Sequence, residues 1–186
     1  MSLWETDVKP KNLTAAEKLE IYQTNQGWVR EAGSRLSGNG NVNANPEVLV
    51  AIRGLATKSG AGNITEMEFI TTSVSAASAG DFSARVRFNE RVDVDTSGGT
   101  PTLLLTNSNN GSSTSVNTSL NYASGTGTNE LVFTGTWSSG QLLEADVLSI
   151  EANAVALNSG TIKDAGTSTD TTITNSAVAT TITVAA

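Results

Sequence analysis

Apolar and polar residues alternate along most of the chain after position 63, with the period of two that predicts half-buried β-strands. The clearest example is the run 82–88, in which every second residue is apolar. A similar run begins at residue 64, where Met67 and Phe69 face one way while Glu66 and Glu68 face the other. Further short strands are predicted at 102–106, 116–122, 131–136, 147–152 and 178–184, and polar turns rich in Gly, Ser and Asn separate them.

About seven short strands at this spacing are typical of a β-sandwich, and a closed barrel is the alternative. We therefore predict an all-β fold, an Ig-like β-sandwich over residues 63–186. Because a slip of one residue would turn a strand's apolar set to the solvent, the alternation also predicts the core. The predicted core residues are Phe82, Ala84, Val86, Phe88, Leu103, Leu105, Leu120, Tyr122, Leu131, Phe133, Leu148, Ile150, Ile182 and Val184.

Residues 1–62 differ from the rest in pattern and are predicted to form a short N-terminal segment with one helix and two strands. Thr14 and Glu17 have the spacing of a capping box, so a helix should begin there and continue through the stretch 18–24. Strands are predicted at 27–30 and 47–52, on either side of a loop rich in Gly and Asn.

The large apolar residues of this segment have few neighbours in sequence that could enclose them. Leu3, Trp4, Tyr22 and Trp28, together with the strand residues Val48 and Val50, are therefore predicted to bind a partner subunit. The alternative is that the segment is a small subdomain docked on its own sandwich. These six residues are the predicted partner-binding site.

Charge separates the two parts of the chain. The net charge of the whole chain is -7; residues 1–62 have seven Lys and Arg against six Asp and Glu, whereas residues 63–186 have four against twelve. Nucleic acids and anionic membranes need a basic face, so we predict that the sandwich binds neither. An acidic surface also keeps closely spaced copies apart by repulsion.

Little in the composition predicts catalysis. Cysteine and histidine are both absent, which removes the thiolate nucleophile and the commonest general base and metal ligand. A calcium site is considered and rejected because the spacing of the aspartates matches no calcium-binding loop. We predict no enzyme activity, no cofactor and no metal. The aspartates considered are Asp93, Asp95, Asp164 and Asp170.

Two other features could carry chemistry. Glu66 and Glu68 could act as a glycosidase pair, but they lie on the predicted solvent face of a strand without a cleft around them. Trp137 could be a platform for a sugar, but a single aromatic residue near a turn more often covers the core.

Three stretches of the predicted sandwich resemble the bacterial Ig-like repeats of large adhesins. They are residues 85–105 (RVRFNERVDVDTSGGTPTLLL), 120–133 (LNYASGTGTNELVF) and 153–166 (NAVALNSGTIKDAG). They occur in the order of the family pattern, and the resemblance implies an Ig-like fold. In adhesins such modules serve as spacers and display units, so the resemblance implies no particular activity.

The N-terminal segment resembles small virion structural proteins of tailed phages that infect marine cyanobacteria. The resemblance rests on Leu3-Trp4 and on residues 9–13 (KPKNL), 27–29 (GWV) and 47–51 (EVLVA). It implies a capsid decoration or head accessory protein, or else a tail accessory protein, whose N-terminal segment docks while the sandwich projects. The implied partners are other virion proteins in a homo-oligomer or symmetric array.

A carbohydrate- or receptor-binding adhesion module of a bacterial or phage surface is the alternative function, so a glycan is a candidate ligand of the sandwich. No signal peptide is apparent at the start of the sequence. We therefore predict assembly in the host cytoplasm and localisation in the virion.

Overall fold

The structure, a computed structural model, describes residues 13–24, 27–34, 36, 40–51, 61–108, 118–165, 167, 169–174 and 181–186. It contains one short helix and twelve β-strands within these residues. They are α1 (Ala15–Glu20), β1 (Ile21–Thr24), β2 (Gly27–Arg30), β3 (Glu47–Ala51), β4 (Ile64–Phe69), β5 (Gly80–Asp95), β6 (Thr102–Ser108), β7 (Thr118–Ser124), β8 (Thr128–Trp137), β9 (Val147–Ser149), β10 (Val155–Ala156), β11 (Thr161–Asp164) and β12 (Thr181–Thr183).

Strands β4 to β12 form one antiparallel sheet system with the order β11-β5-β8-β7-β6-β9-β12, while β4 adds to β5 and β10 adds to β6. The predicted all-β class is confirmed, and the arrangement is sandwich-like and compatible with an Ig-like fold. Among the described strands, β11 and β12 do not pair with each other, so the sheet does not close into the alternative barrel.

The longest strand, β5, pairs with three other strands of this system, β4, β8 and β11. Its first half lies between β4 and β8, and its last residues pair with β11. The pairing with β8 jumps from Arg87↔Glu130 to Val92↔Thr128, so β5 has extra residues there and bulges. Such a bulge bends a strand and interrupts its in–out alternation.

The predicted core is confirmed, with Tyr122 as the one member that is only partly buried. The cluster of buried side chains that forms it runs from Met67 to Val184 and contains none of the described residues of the N-terminal segment. Trp137 belongs to this cluster: its ring lies 4.4 Å from that of Phe82, and its indole N–H donates to the carbonyl of Ser78 at 2.8 Å. Trp137 is therefore a core residue and offers no platform for a sugar.

The C-terminal residues pair with the stretch that follows β4. Ser75 and Ala185 form a parallel bridge, in which the amide of Ala76 donates to the carbonyl of Ala185 at 2.9 Å. The amide of Ala185 donates in turn to the carbonyl of Val74 at 2.8 Å. The last part of the chain is thus hydrogen-bonded alongside the start of the sandwich.

The capping box is confirmed, but the predicted extent of the helix is wrong. Thr14 accepts a hydrogen bond from the amide of Glu17, whose carboxylate accepts one from the amide of Thr14. The helix ends at Glu20, and residues 21–24 form β1 instead of a second helical turn. Ile21 is β-branched and Tyr22 is aromatic, and pairing with β2 outweighs the helical spacing of Leu19 and Tyr22.

The other predicted strands are found with shifted ends. The strand predicted at 47–52 is β3, and Ile52 lies outside the described residues, as do Val116 and Val178. The strand predicted at 147–152 ends at Ser149.

Two adjacent leucines test the register of β6. Leu105 is 1% exposed, so Leu105→Ala should lower the free energy of unfolding by about 2–5 kcal/mol. Leu104 is 38% exposed, so Leu104→Ala should cost less than about 1 kcal/mol. Urea denaturation of both variants measures the difference; equal losses would mean that β6 is displaced by one residue.

Candidate docking surface

The N-terminal segment folds into α1 and a three-stranded antiparallel sheet with the order β1-β2-β3. Its own buried apolar side chains are Ile21, Tyr22, Trp28 and Val29. Tyr22 and Trp28 are 6% and 5% exposed, so contacts within the chain cover two of the side chains predicted to need a partner. For these two residues the structure agrees with the alternative prediction, in which the segment is a small subdomain docked on its own sandwich, and not with burial against a partner subunit.

Of the other four predicted partner-binding residues, the structure describes only the two on β3. Leu3 and Trp4 lie outside the described residues. Val48 is 44% exposed and Val50 is half-buried, and both lie on β3. Among the described residues β3 pairs with β2 alone, which leaves its other edge open.

Further exposed apolar side chains lie in the same segment. Leu19 is 41% exposed, Leu36 is 47% exposed and Val42 is 73% exposed. The much longer sandwich has Ile70, Leu104 and Leu143 as its exposed large apolar residues among those described. We call Leu36, Val42, Val48 and the open edge of β3 the docking surface.

Sequence reasoning missed Leu36 and Val42. Both are isolated apolar residues in a stretch rich in Gly, Asn and Ser, so no periodicity marks them. Val42 packs against Gly33, where an added Cβ would lie 2.6 Å from the Val42 side chain and where φ is +76°. Their isolation is the one feature that could have marked them, since an apolar residue in a polar loop has no apolar strand or helix face to join and is therefore a candidate for contact with a partner.

The segment contacts the sandwich through a mostly polar seam. The Asn89 side chain donates to the carboxamide oxygen of Gln23 at 2.9 Å, and the Asn129 side chain donates to the carbonyl of Lys18 at 3.1 Å. The guanidinium of Arg91 lies 4.5 Å from the centre of the Tyr22 ring, a cation–π contact.

A buried guanidinium lies at the centre of this seam. The Arg87 side chain is 3% exposed, and its Nη1 lies 2.6 Å from Glu66 and 2.6 Å from Glu68. Its Nε donates to Glu130 at 2.9 Å. Lys18 of α1 joins the cluster, because its Nζ lies 2.7 Å from the second oxygen of Glu66.

Glu66 and Glu68, which were predicted to face the solvent, are only partly exposed, and the Arg87 guanidinium between them is buried. The N-terminal segment covers part of this face of the sheet, since Lys18 contacts both Glu66 and Asn129, and the charges there are paired. In this arrangement the two glutamates are held by cations, and they do not form a free carboxylate pair of the glycosidase type.

The ion pairs of the cluster shift the pKa values of Glu66 and Arg87. Burial alone would raise the pKa of Glu66, but the hydrogen bonds from Lys18 and Arg87 outweigh it and lower that pKa from its ordinary 4.5. Burial likewise opposes the charge of Arg87, yet the surrounding carboxylates raise its pKa above its ordinary value. Glu66 and Arg87 therefore keep their charges in mildly acidic solution.

The aspartates considered as calcium ligands have separate local roles. Asp95 accepts a hydrogen bond from the amide of Ser97, and Asp164 accepts one from the hydroxyl of Thr167. Asp170 lies 3.8 Å from Lys163, and Asp93 is exposed on β5. Within the described residues, no three carboxylates are grouped to hold a metal ion. Nor does that part of the chain contain a helix long and apolar enough to cross a membrane.

No protein-family model, curated protein or solved structure matches the chain.

Acid should destabilise the protein through Glu66. A carboxylate whose pKa is lower in the folded chain stabilises that chain above its unfolded pKa, and the effect is lost as the pH falls through the folded value. Between about pH 5.5 and pH 3 the melting temperature of the wild type should therefore fall by more than that of Glu66→Gln, which has no such group to titrate.

Glu144→Gln is the matched control, because Glu144 is an exposed carboxylate in the turn before β9. Its melting temperature should follow the wild type at every pH. If Glu66→Gln also follows the wild type, the ion pairs of Glu66 do not lower its pKa.

Proposed function

We propose that this chain is a virion structural protein of a tailed phage, a capsid decoration or head accessory protein with a projecting sandwich. A tail accessory role is the second choice. The observation that carries the proposal is the uneven distribution of exposed apolar side chains. The N-terminal segment exposes Leu36, Val42 and Val48, and Val48 lies on β3, which pairs on one side only among the described strands.

The properties of the sandwich suit the part that projects from the particle. Among the described residues its buried core lies within 67–184, and its net charge is strongly negative. A folded unit with an acidic surface suits a part that projects from a crowded array, because neighbouring copies repel one another. The docking surface suits attachment, since an added strand from a partner satisfies the backbone groups of an open edge.

Symmetry makes a small docking surface sufficient. Each copy needs to bury only a few apolar side chains and one strand edge, because many identical contacts on one particle add up. The proposed partner is therefore another virion subunit that presents an apolar patch and a free strand edge. The resemblance of the N-terminal motifs to those of phage virion proteins supports the same class of partner.

Localisation tests the proposal directly. Antibodies against the purified chain, detected by immunogold electron microscopy, should label intact particles of the phage that encodes it, on the head surface. Labelling at the tail would select the second choice. Particles without label, whose protein content by mass spectrometry lacks the chain, would contradict a structural role; a glycan array probed with the same protein would then test the adhesion-module alternative.

Deleting residues 1–62 separates folding from docking. The truncated chain should remain a folded monomer, because the buried core cluster lies entirely beyond residue 62. It should no longer be incorporated into particles when produced in infected cells. Circular dichroism, size-exclusion chromatography and quantification in purified particles measure these three properties.

A point substitution refines this test. Val48→Asp introduces a charge on the docking surface and should reduce incorporation at least tenfold while leaving the fold intact. Leu104→Asp is the matched control, since Leu104 has a similar exposure, 38% against 44%, on the sandwich. Normal incorporation of the truncated chain would place the attachment on the sandwich instead.

A further inference from the structure

A cleft opens to solvent where the N-terminal segment meets the sandwich. Its volume is about 280 Å³. One wall comes from Leu19, Tyr22 and Glu31 of the segment, and the opposite wall comes from β5 and from the turn and strand 125–132 of the β7–β8 hairpin. Pockets for drug-sized ligands have volumes of roughly 300–1,000 Å³, so an occupant of this seam cleft must be small.

The hairpin side of the seam cleft is held in one shape. Gly125 and Gly127 have φ values of +113° and +78°, which favour glycine, and a Cβ on Gly125 would lie 2.1 Å from the carbonyl of Glu130. The hydroxyl of Thr128 bonds to the carbonyls of Gly125 and Glu130 at 2.7 and 2.8 Å. The hydroxyl of Tyr122 accepts a hydrogen bond from the amide of Thr126 at 3.0 Å. A wall fixed in this way can present its polar groups without first being ordered by a ligand.

The lining combines apolar surface with both kinds of hydrogen-bonding group. Leu19 supplies apolar surface at the mouth, while the carboxylate of Glu31 and the guanidinium of Arg91 supply acceptors and donors. These two side chains pair with each other, and the Arg91 side chain remains 37% exposed. Glu130 lies on the other wall and is paired with Arg87.

Each carboxylate of the lining is therefore paired with an arginine side chain. Glu31 has Arg91 as its partner and Glu130 has Arg87, so neither carboxylate is left to attract a cation. The acidic net charge of residues 63–186 disfavours anions. The ligand class that remains is small, uncharged and rich in groups that both donate and accept hydrogen bonds.

We propose that the seam cleft binds one neutral sugar ring, with its hydroxyl groups bonded to Glu31, Arg91 and Glu130 and its C–H face against Leu19. A pyranose combines hydroxyl groups that donate to carboxylates and accept from a guanidinium with an apolar ring face. The inference does not depend on the virion assignment, since either a particle protein or an adhesion module can carry such a site. Both parts of the chain line the site, so the sandwich alone would bind the sugar poorly.

The full-length chain labelled with nitrogen-15 provides the test, with galactose, glucose and N-acetylglucosamine as probes. At least one of them should shift the backbone amide signals of Thr128, Asn129 and Glu130, with a dissociation constant on the order of 1 mM for a ligand of about a dozen heavy atoms. Glucosamine and N-acetylneuraminic acid, which are charged, should bind at least tenfold more weakly.

Two leucines provide matched variants. Leu19→Trp fills the mouth of the seam cleft and should weaken binding at least tenfold. Leu143→Trp adds the same ring at a residue of similar exposure, 45% against 41%, outside the lining, and should leave binding unchanged. The melting temperature of each variant verifies that it is folded.

Four results would overturn the proposal, of which the first three concern binding strength. These three are the absence of amide shifts with all three neutral sugars at about 50 mM, full binding by a folded Leu19→Trp variant, and tighter binding of a charged probe than of the neutral ones. Shifts confined to amides outside the lining would likewise place the sugar elsewhere. Particle labelling is a separate measurement, so this proposal and the virion proposal can fail independently.

Discussion

The ion pairs around Arg87 are the interaction on which the arrangement of the two parts of the chain depends. A guanidinium that is 3% exposed cannot be left unpaired, and its partners come from the two strands that flank β5. Glu66 and Glu68 lie on β4, and Glu130 lies on β8. Through Glu66 the same cluster reaches Lys18 of α1, so it joins three strands of the sandwich to the segment that covers them.

The molecule is therefore stabilised in two different ways. Burial of apolar side chains holds the sandwich together, and its strength depends little on pH or salt. The seam depends on paired charges, side-chain amides and one cation–π contact, as contacts between domains within a chain often do. The groups that meet at the seam are therefore mostly polar, whereas the apolar core of the sandwich lies beneath its own strands.

The core of the sandwich is visible in the sequence, whereas the seam between the two parts is not. The alternation at 82–86 is visible because one face of the strand meets the core and the other is polar. From Val86 to Glu90 all five side chains are buried, since the bulge and the covering segment enclose both faces. That covering depends on contacts between residues more than forty positions apart, such as Lys18 and Glu66, and no local pattern encodes them. The burial of Tyr22 escaped prediction for the same reason, whereas the capping box at Thr14 is local and was predictable.

The parallel bridge at the end of the chain has a mechanical consequence. Ala185 is hydrogen-bonded to Val74 and Ala76, and the two stretches run in the same direction. If the N-terminal segment is anchored and the far end is pulled, the two stretches are drawn past each other along their length. The hydrogen bonds between them then bear the force together in shear instead of opening one after another.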